Sequence, residues 1–245
     1  MNKEQGISNK EQGILNKEQG ILNKEQGRGQ KNMEHIAHLS KDKKLKKIID
    51  LQQPYVLQRK ENVYLQLCYS IMSQQLSTKV AAVFHRRFLD LYGGKDPSAK
   101  QIAGTAFETL RGIGLSNAKA NYVLNVSRFF IGEKITDDKL DKMSNTELIK
   151  YLSQIKGVGQ WTVEMILMFT LGREDIFAVD DLGIQQAICK LYKIDAADKK
   201  AMKEKMLSVS KKWSPYRTYA CRYLWGWKDN VPATPSAPAL RLRSG

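Results

Sequence analysis

Cysteine and histidine are scarce in this chain of 245 residues, and their placement excludes several kinds of protein. Cys68, Cys189 and Cys221 are odd in number and widely separated, which argues against a disulfide framework and fits a reducing compartment. His35 and His38 form an HxxH pattern with no candidate third ligand nearby, so no zinc site is predicted.

Long apolar runs are also missing. No stretch approaches the roughly eighteen consecutive apolar residues of a membrane-spanning helix, and the polar N-terminus lacks the apolar segment of a signal peptide. These absences predict an intracellular protein without a membrane partner, cytoplasmic in a bacterium or nuclear in a eukaryote.

Acidic residues are outnumbered by basic ones. Lys and Arg total 40 against 25 Asp and Glu, which gives a formal net charge of +15. Such an excess favours a polyanionic partner, with nucleic acid as the first interpretation and an anionic membrane surface as the second. We expect the chain to act as a monomer.

Residues 1–32 repeat a seven-residue unit of the form NKEQGIL. Each unit carries a glycine and at most one adjacent apolar pair, so a coiled-coil seam cannot form. This segment is predicted to be a disordered tail, as is the proline-rich segment 231–245. The folded core is therefore expected over residues 33–230.

Helical periodicity continues through most of this core, without convincing alternating strands, and predicts an all-α fold of nine or ten helices in two lobes. The most informative stretch is 148–188. Apolar residues at helical spacing end at Gly157-Val158-Gly159, and a strongly apolar helix begins near Thr162. This is the pattern of helix, glycine turn, helix.

The two glycines permit positive φ angles and leave no side chain between the backbone and an approaching ligand. Free N–H groups at the start of the next helix suit a DNA phosphate, bound directly or through a bridging cation. An ordinary helical hairpin is the alternative. A similar pattern at Gly112-Ile113-Gly114 could be a second, degenerate hairpin, which we interpret as scaffold.

Asp180 and Asp181 stand at the head of a following helix. Aspartate is a preferred N-cap and is stabilised by the positive end of the helix dipole. We expect one of the two to cap the helix. The other could be a catalytic carboxylate, presented beside whatever the glycine turn binds.

These motifs resemble the helix-hairpin-helix DNA glycosylases, and in particular the 3-methyladenine DNA glycosylase II branch, whose pattern is similar to GVGQWT followed by VDDLGI. In that branch a Trp follows the second hairpin glycine by two residues, and the catalytic Asp lies twenty residues further on. Trp161 and Asp181 fit this spacing (181 − 161 = 20), so Asp181 is preferred to Asp180 as the catalytic residue.

The resemblance also implies roles for other residues. The SQQLS segment is similar to a family loop in which the position of Leu76 wedges into the duplex, with Gln75 as its neighbour. The residues implied to line the lesion pocket are Trp161 and Trp225, and those implied to contact the DNA backbone are Gly157, Val158, Gly159 and Thr162.

The implied protein has two helical lobes flanking a DNA-binding cleft, in the short all-helical form of the family. Its implied activity is base-excision repair: hydrolysis of the N-glycosidic bond of alkylated purines, such as 3-methyladenine or 7-methylguanine, flipped out of double-stranded DNA. The chemistry needs no cofactor. Some relatives carry a four-cysteine iron–sulfur cluster, which three separated cysteines cannot form. A monovalent cation could sit at the hairpin.

Two alternatives stay open at this point. A bifunctional glycosylase with lyase activity is disfavoured, because related enzymes of that kind use a Lys amine at the position that Trp161 occupies here. A non-catalytic DNA-binding module is the other alternative, since such hairpins also serve only to grip phosphate. Asp181 distinguishes this module from the monofunctional glycosylase, because a protein that only grips phosphate has no use for that carboxylate.

The first testable prediction concerns the repeat. Because residues 1–32 lack a core-forming pattern, a chain that starts at Met33 should keep its fold and turnover, and should melt within about 2 °C of the full chain. Thermal denaturation of the two chains checks this. A much larger loss of stability would show that the repeat packs on the core.

Overall fold

The computed structural model describes residues 34–230, and the two predicted tails, 1–32 and 231–245, lie outside this range. The described residues form helices joined by turns and contain no β-strand. The all-α prediction is therefore confirmed.

The range 34–230 contains thirteen α-helices and one 3-10 turn, more than the nine or ten expected. The shortest helices have only five or six residues. One of them, Asp137–Asp141, begins where the hydroxyl of Thr136 accepts a hydrogen bond from the N–H of Lys139. A local cap thus starts a helix that is too short to show apolar periodicity.

The chain divides into two compact units. We call Leu57–Gln185 the central unit; the terminal unit consists of the segments on either side of it, of which 34–56 and 186–230 are described. The boundary between the units falls inside helix α11, Leu182–Tyr192. The other elements of the terminal unit are α1 (34–39), α2 (Lys43–Ile49), α12 (Lys199–Ser210), the 3-10 turn Lys211–Trp213 and α13 (Arg217–Asn230).

A buried carboxylate organises the terminal unit. Asp42 caps α2 and also accepts hydrogen bonds from Trp213 Nε1 at 3.0 Å and from the Tyr192 hydroxyl. Lys212 Nζ lies 2.8 Å from the same carboxylate. Burial by itself would raise the pKa of Asp42, but these donors outweigh it and hold the pKa at about 2.

The helices of the central unit are α3 (Val63–Ser73), α4 (Thr78–Asp90), α5 (Ala99–Ala103), α6 (Phe107–Gly112), α7 (Asn117–Gly132), α8 (Asp137–Asp141), α9 (Asn145–Leu152) and α10 (Gln160–Phe169). Helix α3 lies at the centre of this unit and packs against α4, α7 and α10. Its buried side chains include Leu65, Leu67 and Ile71. Because it is covered on several sides, α3 fixes the positions of the loops that adjoin it.

No helix within the described range is long and apolar enough to cross a membrane. The three cysteines are free thiols. Cys68 and Cys221 are buried, while Cys189 is half-buried.

Candidate nucleic-acid interface and active site

The glycine turn between α9 and α10 is held to the core by apolar side chains. Ile155 and Val158 are both buried. Gly157 adopts a φ of +103°, in the region that side chains disfavour. Since the Val158 side chain points into the core, any ligand of this turn must meet its backbone.

The two glycines of the turn have different requirements. A Cβ on Gly157 would lie 2.1 Å from Cγ of Tyr122, so the aromatic ring already fills that space. A Cβ on Gly159 would have no heavy atom within 4 Å. Gly157 is therefore required by internal packing and backbone conformation, whereas Gly159 keeps the outer side of the turn open.

Helix α10 begins without a side-chain cap, because its N-cap residue is Gly159. The first intrahelical bond runs from the N–H of Val163 to the carbonyl of Gly159 at 3.1 Å. The preceding amides, those of Gln160, Trp161 and Thr162, have no acceptor inside the helix. These amides and the helix dipole make a suitable site for a phosphate.

The first hairpin differs from this arrangement, and its predicted alignment is wrong by two residues. The residue with φ of +103° is Gly114, followed by buried Leu115 and by Ser116, which is the N-cap of α7. The equivalent of Gly157-Val158-Gly159 is thus Gly114-Leu115-Ser116. The Ser116 hydroxyl accepts the N–H of Lys119 at 3.3 Å, so this helix start has a side-chain cap that α10 lacks.

The carboxylate of Asp181 joins α10 to the first turn of α11, and all of these residues lie in the central unit. Its Oδ1 accepts the N–H of Ile184 at 2.8 Å, which caps the start of α11. Its Oδ2 accepts the indole N–H of Trp161 at 3.0 Å. Trp161, two residues after the turn, and Asp181, twenty residues further along the chain, are therefore brought together by a direct hydrogen bond.

The prediction that the helix cap and the reactive carboxylate are different aspartates, Asp180 and Asp181, is wrong about the cap. We expected one Asp to cap the helix and the other to be available for chemistry, but Asp181 itself provides the cap. Only one of its oxygens is used for the cap, since the other faces Trp161. A single aspartate can thus combine a structural bond with a reactive position.

Glu164 is a buried carboxylate to which no sequence motif pointed. It lies one turn after Trp161 in α10, is only 4% exposed, and its Oε1 accepts the side-chain N–H of Gln160 at 2.9 Å. Burial raises the pKa of Glu164, the bond from Gln160 lowers it, and the charges of Asp180 and Asp181 raise it further. A Glu within the apolar run of α10 was the only sequence signal for it.

The SQQLS segment and Trp161 line one cavity of about 500 Å³. Its lining consists of Ser70, Ser73, Gln74, Gln75, Leu76 and Trp161. A volume in this range suits a small ligand or a single nucleobase. Leu76 and Gln75, the predicted wedge, therefore lie beside one of the two predicted pocket tryptophans.

Thr162 links this segment to α10 and is not available as a side-chain DNA contact. It is buried, and its Oγ1 accepts the side-chain N–H of Gln74 at 3.4 Å. A contact between Thr162 and the DNA backbone, as predicted, could therefore be made only by the main-chain N–H of Thr162.

Two large apolar side chains near the Asp181 carboxylate are exposed. Trp161 is 39% exposed, and Leu182, which directly follows Asp181, is 67% exposed. Leu182 was not singled out from the sequence, because a leucine at the start of a helix is usually buried. Trp225 lies half-buried on α13 of the terminal unit, and its place in the pocket stays a prediction.

The family of this chain follows from a sequence match over residues 68–212, which span the SQQLS segment (73–77), the glycine turn and Asp181. The matching family is the HhH-GPD superfamily of base excision DNA repair proteins, and the chain belongs to it.

Two proteins similar in sequence to this chain are named as DNA-3-methyladenine glycosylases. DNA-3-methyladenine glycosylase 1 of Schizosaccharomyces pombe is 34% identical over 194 residues, 78% of this chain and 84% of the relative. YfjP of Bacillus subtilis, provisionally assigned as a DNA-3-methyladenine glycosylase, is 36% identical over 170 residues, 67% of this chain and 58% of YfjP.

A solved structure has the same fold. It is the S. pombe 3-methyladenine DNA glycosylase Mag1 in complex with abasic DNA, with a TM-score of 0.69 and 33% sequence identity. The likeness covers 78% of this chain and 95% of that one.

The second prediction separates the two glycines of the turn. Gly157→Ala should lower the free energy of unfolding by about 2 kcal/mol or more, because it combines a disfavoured φ with a clash against Tyr122. Gly159→Ala should lower it by less than about 1 kcal/mol, because its φ of −88° suits any residue. Chemical denaturation of both variants measures the difference, and equal losses would contradict this distinction.

Proposed function

We propose that this protein is a monofunctional DNA glycosylase of base-excision repair, which hydrolyses the N-glycosidic bond of alkylated purines in double-stranded DNA. The observation that carries the proposal is the hydrogen bond between the Trp161 indole and the Asp181 carboxylate. It places a negative charge beside an exposed aromatic surface, where a flipped base and its sugar could be held.

Base extrusion needs contacts that offset the loss of stacking, a few kcal/mol per nucleotide. Leu76 is the wedge that fills the gap left in the duplex, with Gln75 beside it. The exposed face of Trp161 stacks on the flipped base, and Trp225 is proposed as the second aromatic surface of the pocket. A purine methylated at N3 or N7 is cationic, so stacking on a tryptophan gains cation–π attraction of about 0.5 to 2 kcal/mol.

The chemical step follows from the position of Asp181. As the bond between C1′ and the base nitrogen breaks, positive charge develops on the deoxyribose, and the carboxylate stabilises that charge. It also orients the water that attacks C1′. The alkylated base leaves as a neutral molecule, which makes it a better leaving group than an undamaged base. No cofactor is required for this hydrolysis.

The turn Gly157-Val158-Gly159 is proposed to grip the DNA backbone through the amides at the start of α10. Val158 holds the turn in the core and Gly159 leaves its outer side open. Thr162 contributes its main-chain N–H. A monovalent cation between the turn and a phosphate is compatible with this arrangement, and the excess of basic residues supplies general attraction to DNA.

The side chain at position 161 argues against lyase chemistry, because an indole has no amine that could attack C1′. A passive DNA-binding module would not need Asp181 held against a second helix. We further propose that the protein acts as a monomer inside the cell, on methylated DNA of any sequence.

The third prediction concerns Asp181. Asp181→Asn keeps the size of the side chain and an oxygen that can cap α11, but its amide nitrogen takes the place of the oxygen that accepts the Trp161 N–H. Loss of that one bond should lower the free energy of unfolding by about 1 kcal/mol. The negative charge is lost, and turnover should fall by about 10²-fold or more. The measurement is release of free methylpurines from DNA treated with a methylating agent. Binding of lesion DNA should survive.

Two further variants separate charge from position. Trp161→Phe removes the indole donor but keeps the carboxylate and an aromatic ring, so it should lose less turnover than Asp181→Asn. Asp180→Asn should turn over nearly normally. The assignment would be abandoned if Asp181→Asn released methylpurines at the wild-type rate, and transferred to Asp180 if only Asp180→Asn were inactive.

The fourth prediction concerns the phosphate grip. Gly159 has the extended backbone of an N-cap residue, as Ser116 does. Gly159→Ser should therefore cap α10 with its own hydroxyl, keep the stability of the fold and compete with the phosphate. Affinity for damaged and undamaged duplex should fall alike, on the order of 10-fold.

Ser116→Gly is the matched control, because it opens the helix start of the first hairpin. It should cost only a few tenths of a kcal/mol of stability and leave DNA affinity unchanged. Titrations of labelled duplex at several salt concentrations measure both variants. Loss of lesion preference alone in Gly159→Ser would assign the turn to the base pocket instead.

A further inference from the structure

Lys119, in the first turn of α7, grips the end of α3. Its Nζ donates to the carbonyl of Met72 at 3.0 Å and to the carbonyl of Gln74 at 2.7 Å. Carbonyls at a helix C-terminus lack intrahelical partners and carry the negative end of the helix dipole. An ammonium group with three donors satisfies both needs at once.

The residues held in this way directly precede the proposed wedge. At Gln74 the chain leaves the helix with a ψ of 131°, and Gln75 adopts a φ of +60°. The Leu76 N–H then bonds back to the Ser73 carbonyl at 3.1 Å. Lys119 therefore binds the segment at the point where its direction, and so the direction of Leu76, is set.

The same helix also holds the glycine turn. The ring of Tyr122 occupies the space beside Gly157 that a Cβ would need. Asn125 Nδ2 donates to the carbonyl of Lys156, the residue before the turn, at 3.2 Å. These residues follow Lys119 at intervals of three, so successive turns of α7 carry the three contacts along neighbouring positions.

We propose that α7 is a positioning element that fixes the wedge segment, residues 73–77, relative to the glycine turn, residues 157–159, and that Lys119 is its positioning residue for the wedge. This rests on the proposed function. A wedge and a phosphate grip must act on the same stretch of duplex, so their separation determines whether the base is extruded when the backbone is bound. The bond from Gln74 to Thr162 provides a second, weaker link between the two segments.

Lys119 itself need not touch DNA for this role. It is half-buried, and burial lowers the pKa of its ammonium group. Both carbonyl bonds offset that cost. Loss of the ammonium should leave duplex attraction almost unchanged but should loosen the wedge, and a displacement of about 1 Å at such a group can cost up to ~10²-fold in rate.

The first test needs no DNA. Hydrogen–deuterium exchange is compared in the whole wild-type chain, Lys119→Met and the matched control Lys150→Met, an exposed lysine of α9. Lys119→Met should speed exchange within residues 73–77 and leave α10 protected, while Lys150→Met should match wild type. Unchanged exchange in 73–77 would overturn the proposal, and faster exchange throughout the central unit would overturn it in favour of a general stabilising role.

The second test uses DNA with 2-aminopurine beside a methylated purine, whose fluorescence reports extrusion. Lys119→Met should bind undamaged duplex as Lys150→Met does, but lose about 10-fold or more of the fluorescence change and of single-turnover rate. Lys119→Arg, which can also donate to both carbonyls, should recover part of both. Wild-type-like extrusion and rate in Lys119→Met would overturn the role of Lys119.

The two proposals fail in distinguishable ways. If wild-type protein released no methylpurine, the proposed function would fail, whereas the exchange result at residues 73–77 would still decide the positioning role. If wild-type protein were active and Lys119→Met were equally active, only the positioning role would fail.

Discussion

The hydrogen bonds of one carboxylate connect the parts of the site. Asp181 caps α11 through one oxygen and receives the Trp161 indole through the other. The first bond fixes where the aspartate stands, and the second fixes the aromatic side chain that follows the glycine turn. Since the side chain bonds to both residues, a carboxylate is kept next to an exposed ring.

The glycine turn supports this arrangement through opposite properties of its two glycines. The Tyr122 ring fills the space beside Gly157 that a Cβ would need, and Gly157 has a positive φ. Gly157 therefore belongs to the packed interior of the central unit. Gly159 faces open space and leaves α10 uncapped. The first hairpin has the same backbone path but ends in Ser116, whose hydroxyl caps α7. The two helix starts thus differ by one hydroxyl, which caps α7 and is missing from α10.

Helix α7 contacts both segments that adjoin the proposed site, the end of α3 and the glycine turn. Its early turns contact the end of α3 through Lys119 and the glycine turn through Tyr122 and Asn125. The sequence suggested only a degenerate hairpin here, because lysine, tyrosine and asparagine on a helix are ordinary surface residues. Their partners are backbone carbonyls and a glycine, which leave no trace in a pattern of side chains.

The sequence by itself determined the helical class, the glycine turn, and the spacing that pairs Trp161 with Asp181, because periodicity, glycine and short motifs are local properties of the chain. Only the tertiary structure decided that Asp181 is also the cap, that Thr162 is buried against Gln74, and that the first hairpin aligns at Gly114. Glu164 became visible in the same way, since its burial depends on the helices packed around it. The burial of Thr162 and of Glu164 depends on residues distant in sequence, and the cap and the alignment of the first hairpin depend on the local backbone conformation. Neither kind of fact is encoded in residue type alone.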